Sequence, residues 1–286
     1  MFADLHLHTT ASDGTNTPAE VVALAKEKGL SVLAITDHDT TAGLTEAIAT
    51  GDKLGLEVIS GIELSTLDDD REIHILGYYP NCSSKPLQEM LKKMIDVRKN
   101  RAIYMVEKLN QLGYAVELSR VKEIAGADFI GRPHIARALL EKGYIDDISE
   151  AFSESFIGRG GKAFVERFKL TPPEGIAILL QAEAIPVLAH PGFLSQGPPL
   201  LEDEILPLVD SGLCGLEVFY SKHTQEQVGC YKRLAEEQGI LITGGSDCHG
   251  QEGAVNSLGS IRLPYSYVEA LKESRFNSHT KDVRQI

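Results

Sequence analysis

Disulfide chemistry has little foothold in this chain of 286 residues, because its four cysteines, Cys82, Cys214, Cys230 and Cys248, are scattered without a C-x-x-C pair. That spacing argues against a disulfide framework or a structural zinc knuckle, and the thiols are expected to be reduced. Apolar runs of eighteen residues are also missing. No helical membrane span is therefore expected, and the opening Met1-Phe2-Ala3-Asp4 lacks the basic and apolar regions of a secretory signal. The expectation is a cytoplasmic protein with no membrane partner. Positive charge is scarce too: 28 Lys and Arg face 41 Asp and Glu, for a formal charge of −13. Such a chain offers no extended basic groove for long nucleic acid outside one segment, residues 85–170. Repeats and low-complexity tracts are absent, and Gly197-Pro198-Pro199 reads as a loop.

What the chain does have is histidine set beside carboxylate. Six of its nine histidines lie in short, dispersed motifs. They include Asp4-Leu5-His6-Leu7-His8 with Asp13 behind, Asp37-His38-Asp39, Glu72-Ile73-His74, Ala189-His190-Pro191 and Asp247-Cys248-His249, while Gly61-Ile62-Glu63 adds a carboxylate. Imidazole mixed with carboxylate is the ligand chemistry of zinc, manganese and iron, so motifs of one composition point to a shared multinuclear site.

Short β-branched runs alternate with amphipathic helical patterns, the mark of βα units around a parallel sheet. Strands are expected at 3–8, 31–36, 57–62, 73–78, 186–189, 215–219 and 240–244. Helices are expected at 18–28, with Thr17 as N-cap, at 41–54 and at 224–238. Nearly every histidine motif then falls at the C-terminal end of a strand, the face of a (β/α) barrel that carries chemistry. The alternation breaks at residues 85–170, where Leu87, Met90, Leu91, Met94, Ile95, Met105, Leu109 and Leu112 recur at helical spacing. This segment holds 16 of the 28 Lys and Arg but only 12 of the 41 Asp and Glu. We read one barrel, residues 1–84 and 171–286, with a basic, mostly helical insertion at 85–170 that caps an anionic substrate. A lysine-rich solvated helical face would give the same charge without any ligand.

Strand alternation puts Asp4, His6 and His8 on one face. The deeper Asp4 reads as an acceptor for a histidine ring N–H rather than as a ligand. Asp13 fits either a ligand or a turn former beside Gly14. After the run Val32 to Ile35, His38 is assigned as ligand and Asp37 as its support. Glu63 could bridge two cations. His74 and His190 each end an apolar run, and either one taken alone reads more readily as a satisfied core or cap residue than as a ligand. Asp247 and His249 share a face at i, i+2, after two glycines that permit close approach, with Cys248 turned away into packing. The aromatics Phe129, Tyr144, Phe152, Phe156, Phe164, Phe168 and Tyr220 read as core rather than as base-stacking platforms.

Together these motifs resemble the PHP (polymerase and histidinol phosphatase) family of metal-dependent phosphoesterases. The resemblance is specifically to its small stand-alone branch, similar to nucleoside 3′,5′-bisphosphate phosphatases and 5′-to-3′ exoribonucleases. Asp4 to Gly14, Ile35 to Asp39, Gly61 to Glu63, Glu72 to Tyr78, Gly131 to His134, Ala189 to Pro191 and Gly245 to His249 carry the resemblance from end to end. It implies a distorted, TIM-like (β/α)₇ barrel with two or three divalent ions, manganese first, with zinc, iron or magnesium as alternatives. One ion would take His6, His8, Glu63 and Asp247, a second Asp13, His38 and His249, and a third Glu63, His74 and His190. The same resemblance makes Arg132 and His134, with Asp13, contacts to substrate phosphate, and Arg132, His134 and His190 the candidate catalytic residues. A water acidified by the cations would then attack phosphorus in line. The expected reaction is hydrolysis of the 3′-phosphate of a nucleoside 3′,5′-bisphosphate, giving AMP in the adenosine case. Trimming of short 5′-phosphorylated RNA is the alternative. Histidinol-phosphate hydrolysis and a non-catalytic, metal-stabilised scaffold stand further off. Against the role of Arg132 stands a structural one: Pro133 can open a helix at 134–141 with Arg132 merely solvated.

Overall fold

The computed structural model describes residues 1–69, 71–126, 130–165, 170–194, 197–252 and 255–282. Phe129 and Phe168 lie outside these residues. Seven strands form most of one sheet: β1 (Phe2–Leu7), β2 (Val32–Ile35), β3 (Glu57–Asp68), β4 (Arg71–Tyr78), β5 (Ile185–Leu188), β6 (Gly215–Tyr220) and β7 (Leu241–Gly245). After them come a small hairpin, β8 (Gln251–Glu252) with β9 (Val255–Asn256), and the edge strand β10 (Leu263–Pro264). The sheet order is β10-β1-β2-β3-β4-β5-β6-β7. Beyond β1 and β7 the sheet nearly closes on itself: the His8 N–H donates to the Cys248 carbonyl at 3.0 Å and the Asp247 N–H to the His6 carbonyl at 2.9 Å. Gly245 is what allows this approach, since a Cβ there would lie 2.3 Å from the His6 Cβ. The helices are α1 (Pro18–Glu27), α2 (Leu44–Leu54), α3 (Lys85–Gln111), α4 (Leu118–Ala125), α5 (Arg132–Glu141), α6 (Pro172–Gln181), α7 (Glu202–Asp210), α8 (Gln225–Gln238) and α9 (Tyr265–Asp282). Capping boxes at Thr17, Thr171 and Thr224 start α1, α6 and α8, each with Glu or Gln at the third helical position.

The all-parallel reading needs one correction. β4 runs antiparallel to both β3 and β5, so β3 and β4 form a hairpin, and β3 continues to Asp68 instead of stopping at Ile62. His74 therefore does not end its strand. It lies in the first half of β4 and reaches the mouth because the reversed strand starts at that end. Alternation on β4 then sends His74, Leu76 and Tyr78 to one face and Ile73 and Ile75 to the other, where they pack with Ile176 and Leu179 of α6.

Two cores matter for the site. One spans the β-sheet and its flanking helices and includes Ile62, Ile75, Leu188, Leu216, Leu87 and Leu91. The other gathers Ala102, Met105, Val106, Leu109, Ile135, Leu139, Ile157 and Ala163. Helix α3 crosses from one to the other, its first turns in the barrel core and its last three turns in the second. The four cysteines are free. Among the described residues no helix is long and apolar enough to cross a membrane.

Candidate metal centre

The mouth is assembled from side chains that leave the barrel at strand ends and the adjoining turns. Glu63, at 0 % exposure, is its hub. Its Oε2 lies 3.2 Å from His6 Nε2, 3.2 Å from His8 Nε2 and 3.1 Å from His38 Nδ1. Its Oε1 lies 2.9 Å from His74 Nδ1 and 3.2 Å from His190 Nε2. Asp247 Oδ1 faces His8 Nε2 at 3.0 Å and His6 Nε2 at 3.4 Å, while its Oδ2 accepts the Tyr220 hydroxyl at 3.0 Å. Asp13 Oδ1 is 3.3 Å from His249 Nε2, and its Oδ2 is 3.9 Å from His38 Nε2. Asp247 (φ 53°) and His190 (φ 29°) hold left-handed backbone, a strain of about 1–3 kcal/mol each that persists only where the surroundings over-determine it.

Three groups have ligand atoms close enough to share an ion: His8, Asp13, His38 and His249; His6, His8, Glu63 and Asp247; and His38, Glu63 and His74. The second coincides with the quartet inferred for one ion. The first adds His8 to the inferred trio. The third has His38 where the resemblance put His190, which approaches Glu63 from the side of β5. The test of fit lies in the polar atoms. Among the described residues, His6 Nε2, both ring nitrogens of His8 and His74, His38 Nδ1 and Glu63 Oε2 are buried without a hydrogen-bond partner. Several of these atoms lie 2.9–3.2 Å from one another, so distance is not what fails; direction is. Lone pairs aimed at common points, rather than at each other, suit cations. His190 differs in having a partner at each ring nitrogen: its Nδ1 donates to the Phe193 carbonyl at 3.1 Å, and its Nε2 faces Glu63 Oε1 at 3.2 Å.

In the metal-free chain protons take up this charge. Burial disfavours the ionised forms, yet the surrounding imidazoles of His38, His6 and His74 hold Glu63 well below its ordinary value. His249 with His38 does the same for Asp13, and His6 with His249 for Asp247. Conversely, against burial, Glu63 raises His74 to about 10, and Asp13 and Asp247 raise His249 to about 10.

The supporting carboxylates differ from expectation. Asp4 touches no imidazole. Its buried carboxylate accepts the backbone N–H groups of Ser246 and Gly259, each at 2.9 Å, and so ties β1 to the turn after β7; burial raises it to about 6. Both of its oxygens are taken up by backbone N–H groups instead of a ring. Asp37 accepts from the Thr9 N–H at 2.7 Å, the Thr9 hydroxyl at 2.8 Å and the Ser12 hydroxyl at 2.6 Å, fixing the loop that carries Asp13. The carboxylate that does hold a ring is Glu217 on β6, which was not singled out from sequence. It accepts His6 Nδ1–H at 3.0 Å and the His190 N–H at 2.8 Å, so His6 must turn Nε2 toward Glu63 and Asp247. A lone Glu inside the apolar strand Gly215–Tyr220 was the available signal.

Above the mouth lies a cavity of about 330 Å³ whose lining includes Asp13, His38, Ser65, Glu72 and His74 on the barrel side and Arg101, Met105, Gly131, Arg132 and Phe152 on the other. Arg132 opens α5, its guanidinium 3.5 Å from Glu72 and stacked over Phe152 at 5.5 Å. His134 Nδ1 accepts the Gly131 N–H at 3.0 Å, and burial pushes the ring down to about 4. It is therefore a neutral imidazole with Nε2–H as a donor. A second cavity of about 900 Å³ also touches Asp13, Pro133 and Phe152 and takes in Arg137, Lys222, Asp247 and His249. Phe152 lines both cavities and Tyr220 donates to Asp247, whereas Phe156 packs in the second core with Tyr144 and Phe164 against it.

An α/β barrel whose mouth gathers buried imidazoles and carboxylates around shared points defines a class of protein suited to several divalent cations. Comparison gives the family: the model of the PHP domain matches residues 4–173, and the chain belongs to that family. It is 32% identical to a phosphoribosyl 1,2-cyclic phosphate 1,2-diphosphodiesterase of Eggerthella lenta, over 92% of this chain and 100% of the relative. A 3′,5′-nucleoside bisphosphate phosphatase of Chromobacterium violaceum is 30% identical over 86% of each chain. A 5′-3′ exoribonuclease of Haemophilus influenzae is 32% identical over 86% of this chain and 89% of its own. Among solved structures, a Bifidobacterium adolescentis protein provisionally described as a metal-dependent phosphoesterase superposes with a TM-score of 0.87, at 32% identity over 94% of both chains.

Proposed function

We infer that this chain is a metal-dependent hydrolase of phosphoric esters that acts on a small ribose phosphate held between the barrel mouth and residues 85–170, which we take as its basic cap. The leading substrate is a nucleoside 3′,5′-bisphosphate, cleaved at the 3′-phosphate. The observation that carries this reading is the cavity of about 330 Å³, with imidazoles and carboxylates on its floor and Arg101, Arg132 and the N-terminus of α5 opposite. Acceptor-rich floor and donor-rich roof suit an anion bridging cations below and guanidinium above.

His6, His8, Asp13, His38, Glu63, His74, His190, Asp247 and His249 would hold two or three ions, with manganese the first candidate. When bound, such ions supply Lewis acidity to an attacking water and to the phosphoryl oxygens. The chain's own part is positional. The Arg132 fork would grip two phosphoryl oxygens, at the expense of its long contact with Glu72. His134, neutral near pH 7, would donate Nε2–H to a phosphoryl or leaving oxygen as a hydrogen-bond donor; its lowered pKa disfavours a role as imidazolium acid.

A second reading, stepwise removal of nucleotides from short 5′-phosphorylated RNA, is favoured by the second cavity of about 900 Å³, which gives room and cations (Arg137, Lys222) beyond a mononucleotide. The deciding experiment is a substrate panel with added Mn²⁺: adenosine 3′,5′-bisphosphate, a 5′-phosphorylated RNA tetramer and phosphoribosyl 1,2-cyclic phosphate. The leading reading requires AMP and phosphate from the first with the highest kcat/KM. Mononucleotides from the tetramer at higher kcat/KM would replace it with the second, and preference for the cyclic ester would make the chain a diesterase like its Eggerthella lenta relative. Activity on none would end the phosphoesterase reading for these ribose phosphates.

A further inference from the structure

His223 belongs to none of the ligand motifs, yet it sits against the turn that carries His190. That turn is short: the Phe193 N–H returns to the His190 carbonyl at 2.9 Å, and the Phe193 carbonyl in turn receives His190 Nδ1–H at 3.1 Å. The position of one carbonyl therefore sets the orientation of the His190 ring. Between them lies Gly192, whose peptide groups are gripped from both sides. His223 Nε2 accepts the Gly192 N–H at 3.0 Å, and Gln227 Nε2 donates to the Gly192 carbonyl at 2.8 Å. A carbonyl can only accept, so the bond from His223 Nδ1 to the Val218 carbonyl, 2.9 Å, requires the proton on Nδ1 and leaves Nε2 free to accept. No freedom remains at Gly192 itself, where a Cβ would lie 2.7 Å from His223 Cδ2 and 2.9 Å from Gln227 Cδ.

We propose that His223 and Gln227 clamp the Gly192 peptide and thereby fix the ring of His190 toward Glu63. His223 is a positioning residue, not a ligand. The clamp accounts for an otherwise costly conformation: His190 holds a positive φ of 29°, which a non-glycine residue keeps only when its neighbours leave no alternative. Two anchors supply that constraint, the His190 N–H on Glu217 Oε2 at 2.8 Å and the gripped peptide two residues on. Outer partners that orient a ligating imidazole typically change metal affinity or activity about 10–100-fold when removed, which is the scale expected here.

The inference rests on the reading of His190 as part of the metal centre, and the test separates the two. Metal-stripped protein is loaded with Mn²⁺, dialysed, and its bound metal counted by mass spectrometry beside kcat and KM for the best substrate of the panel. His223→Leu should retain less metal per chain and lose about 10–100-fold in kcat with KM little changed. His223→Gln, which restores an acceptor for the Gly192 N–H, should recover most of both. Gln227→Leu should shift both in the same direction by less, and it serves if His223→Leu fails to fold. Ring ¹⁵N shifts of the metal-free protein give a readout independent of turnover: His190 Nδ1 should be fully protonated in the parent and less so in Gln227→Leu, where the Phe193 carbonyl is no longer held in place. Parent-like metal retention, kcat and tautomer in both the His223 and Gln227 variants, with His190→Ala losing metal and activity, would overturn the clamp. A silent His190→Ala would instead remove His190 from the centre, and the clamp with it.

Discussion

The barrel mouth and the segment above it bury their residues in opposite ways. The mouth takes His6, His8, Glu63 and Glu217 completely out of solvent and, among the described residues, leaves seven ring or carboxylate atoms without a hydrogen-bond partner. Residues 102–163 bury an apolar cluster and keep charge outside, as in the Arg120 pairs with Glu123 and Glu141. Unsatisfied buried polarity costs folding free energy and apolar burial supplies it. A chain keeps the first kind of region where something binds there, and the second where it needs shape. The cavity between the two joins them, taking its floor from one and its roof from the other.

The sharpest way to break this contrast is at the hub. Glu63→Gln should lower kcat by about 10³-fold or more, roughly 4 kcal/mol, and abolish tight metal binding, read by dialysis against Mn²⁺. Glu217→Gln should leave the fold intact and weaken metal binding about 10–100-fold, because His6 loses the acceptor that fixes its tautomer. On the other side of the cavity, Arg132→Ala should reduce kcat/KM for the phosphorylated substrate by about 10–100-fold, the scale of a charge-assisted hydrogen bond, while metal content stays unchanged. Metal loss in that variant would place Arg132 in the floor's support rather than in substrate binding. Deep in the second core, Met105→Ala should cost about 2–5 kcal/mol of stability, seen as a lower Tm, without altering metal stoichiometry.

Proton linkage sharpens the comparison further. His74 and His249 stand at about 10 in the metal-free chain, so both carry protons at neutral pH that cations must displace. Metal binding should therefore release protons, and apparent affinity should rise as pH climbs from about 6 to about 9. Calorimetry in buffers of different ionisation enthalpy reads the protons directly. Affinity independent of pH would mean that these rings are not displaced.

Much of the mouth was legible because each motif is local. Two-residue alternation marks Asp4, His6 and His8, and an apolar run followed by charge marks His38 and Glu63. The reversal of β4 was not so marked. Asp68 and Asp69 between two apolar runs are turn formers, and Asp69 takes φ 48°, yet no Asn-Gly or Asp-Gly pair announces the hairpin. Glu217 was hidden because a single carboxylate in an apolar strand is legible as a site only when its partners, His6 and the turn at His190, are known to lie beside it. Arg101 presented no signal at all: it is one cation among many on α3, and only the packing of that helix across both cores brings it to the cavity. Asp4 was misjudged because strand alternation gives its face and depth but not the partners that the fold brings to it, the backbone N–H groups of Ser246 and Gly259.

The most direct test of the account is a metal titration of the stripped protein followed by hydrolysis of adenosine 3′,5′-bisphosphate. The account predicts no turnover without metal and activity that rises and saturates at two to three equivalents of Mn²⁺ per chain. Hydrolysis by the stripped protein, or saturable metal binding that confers no activity on this or any other phosphoester, would contradict it.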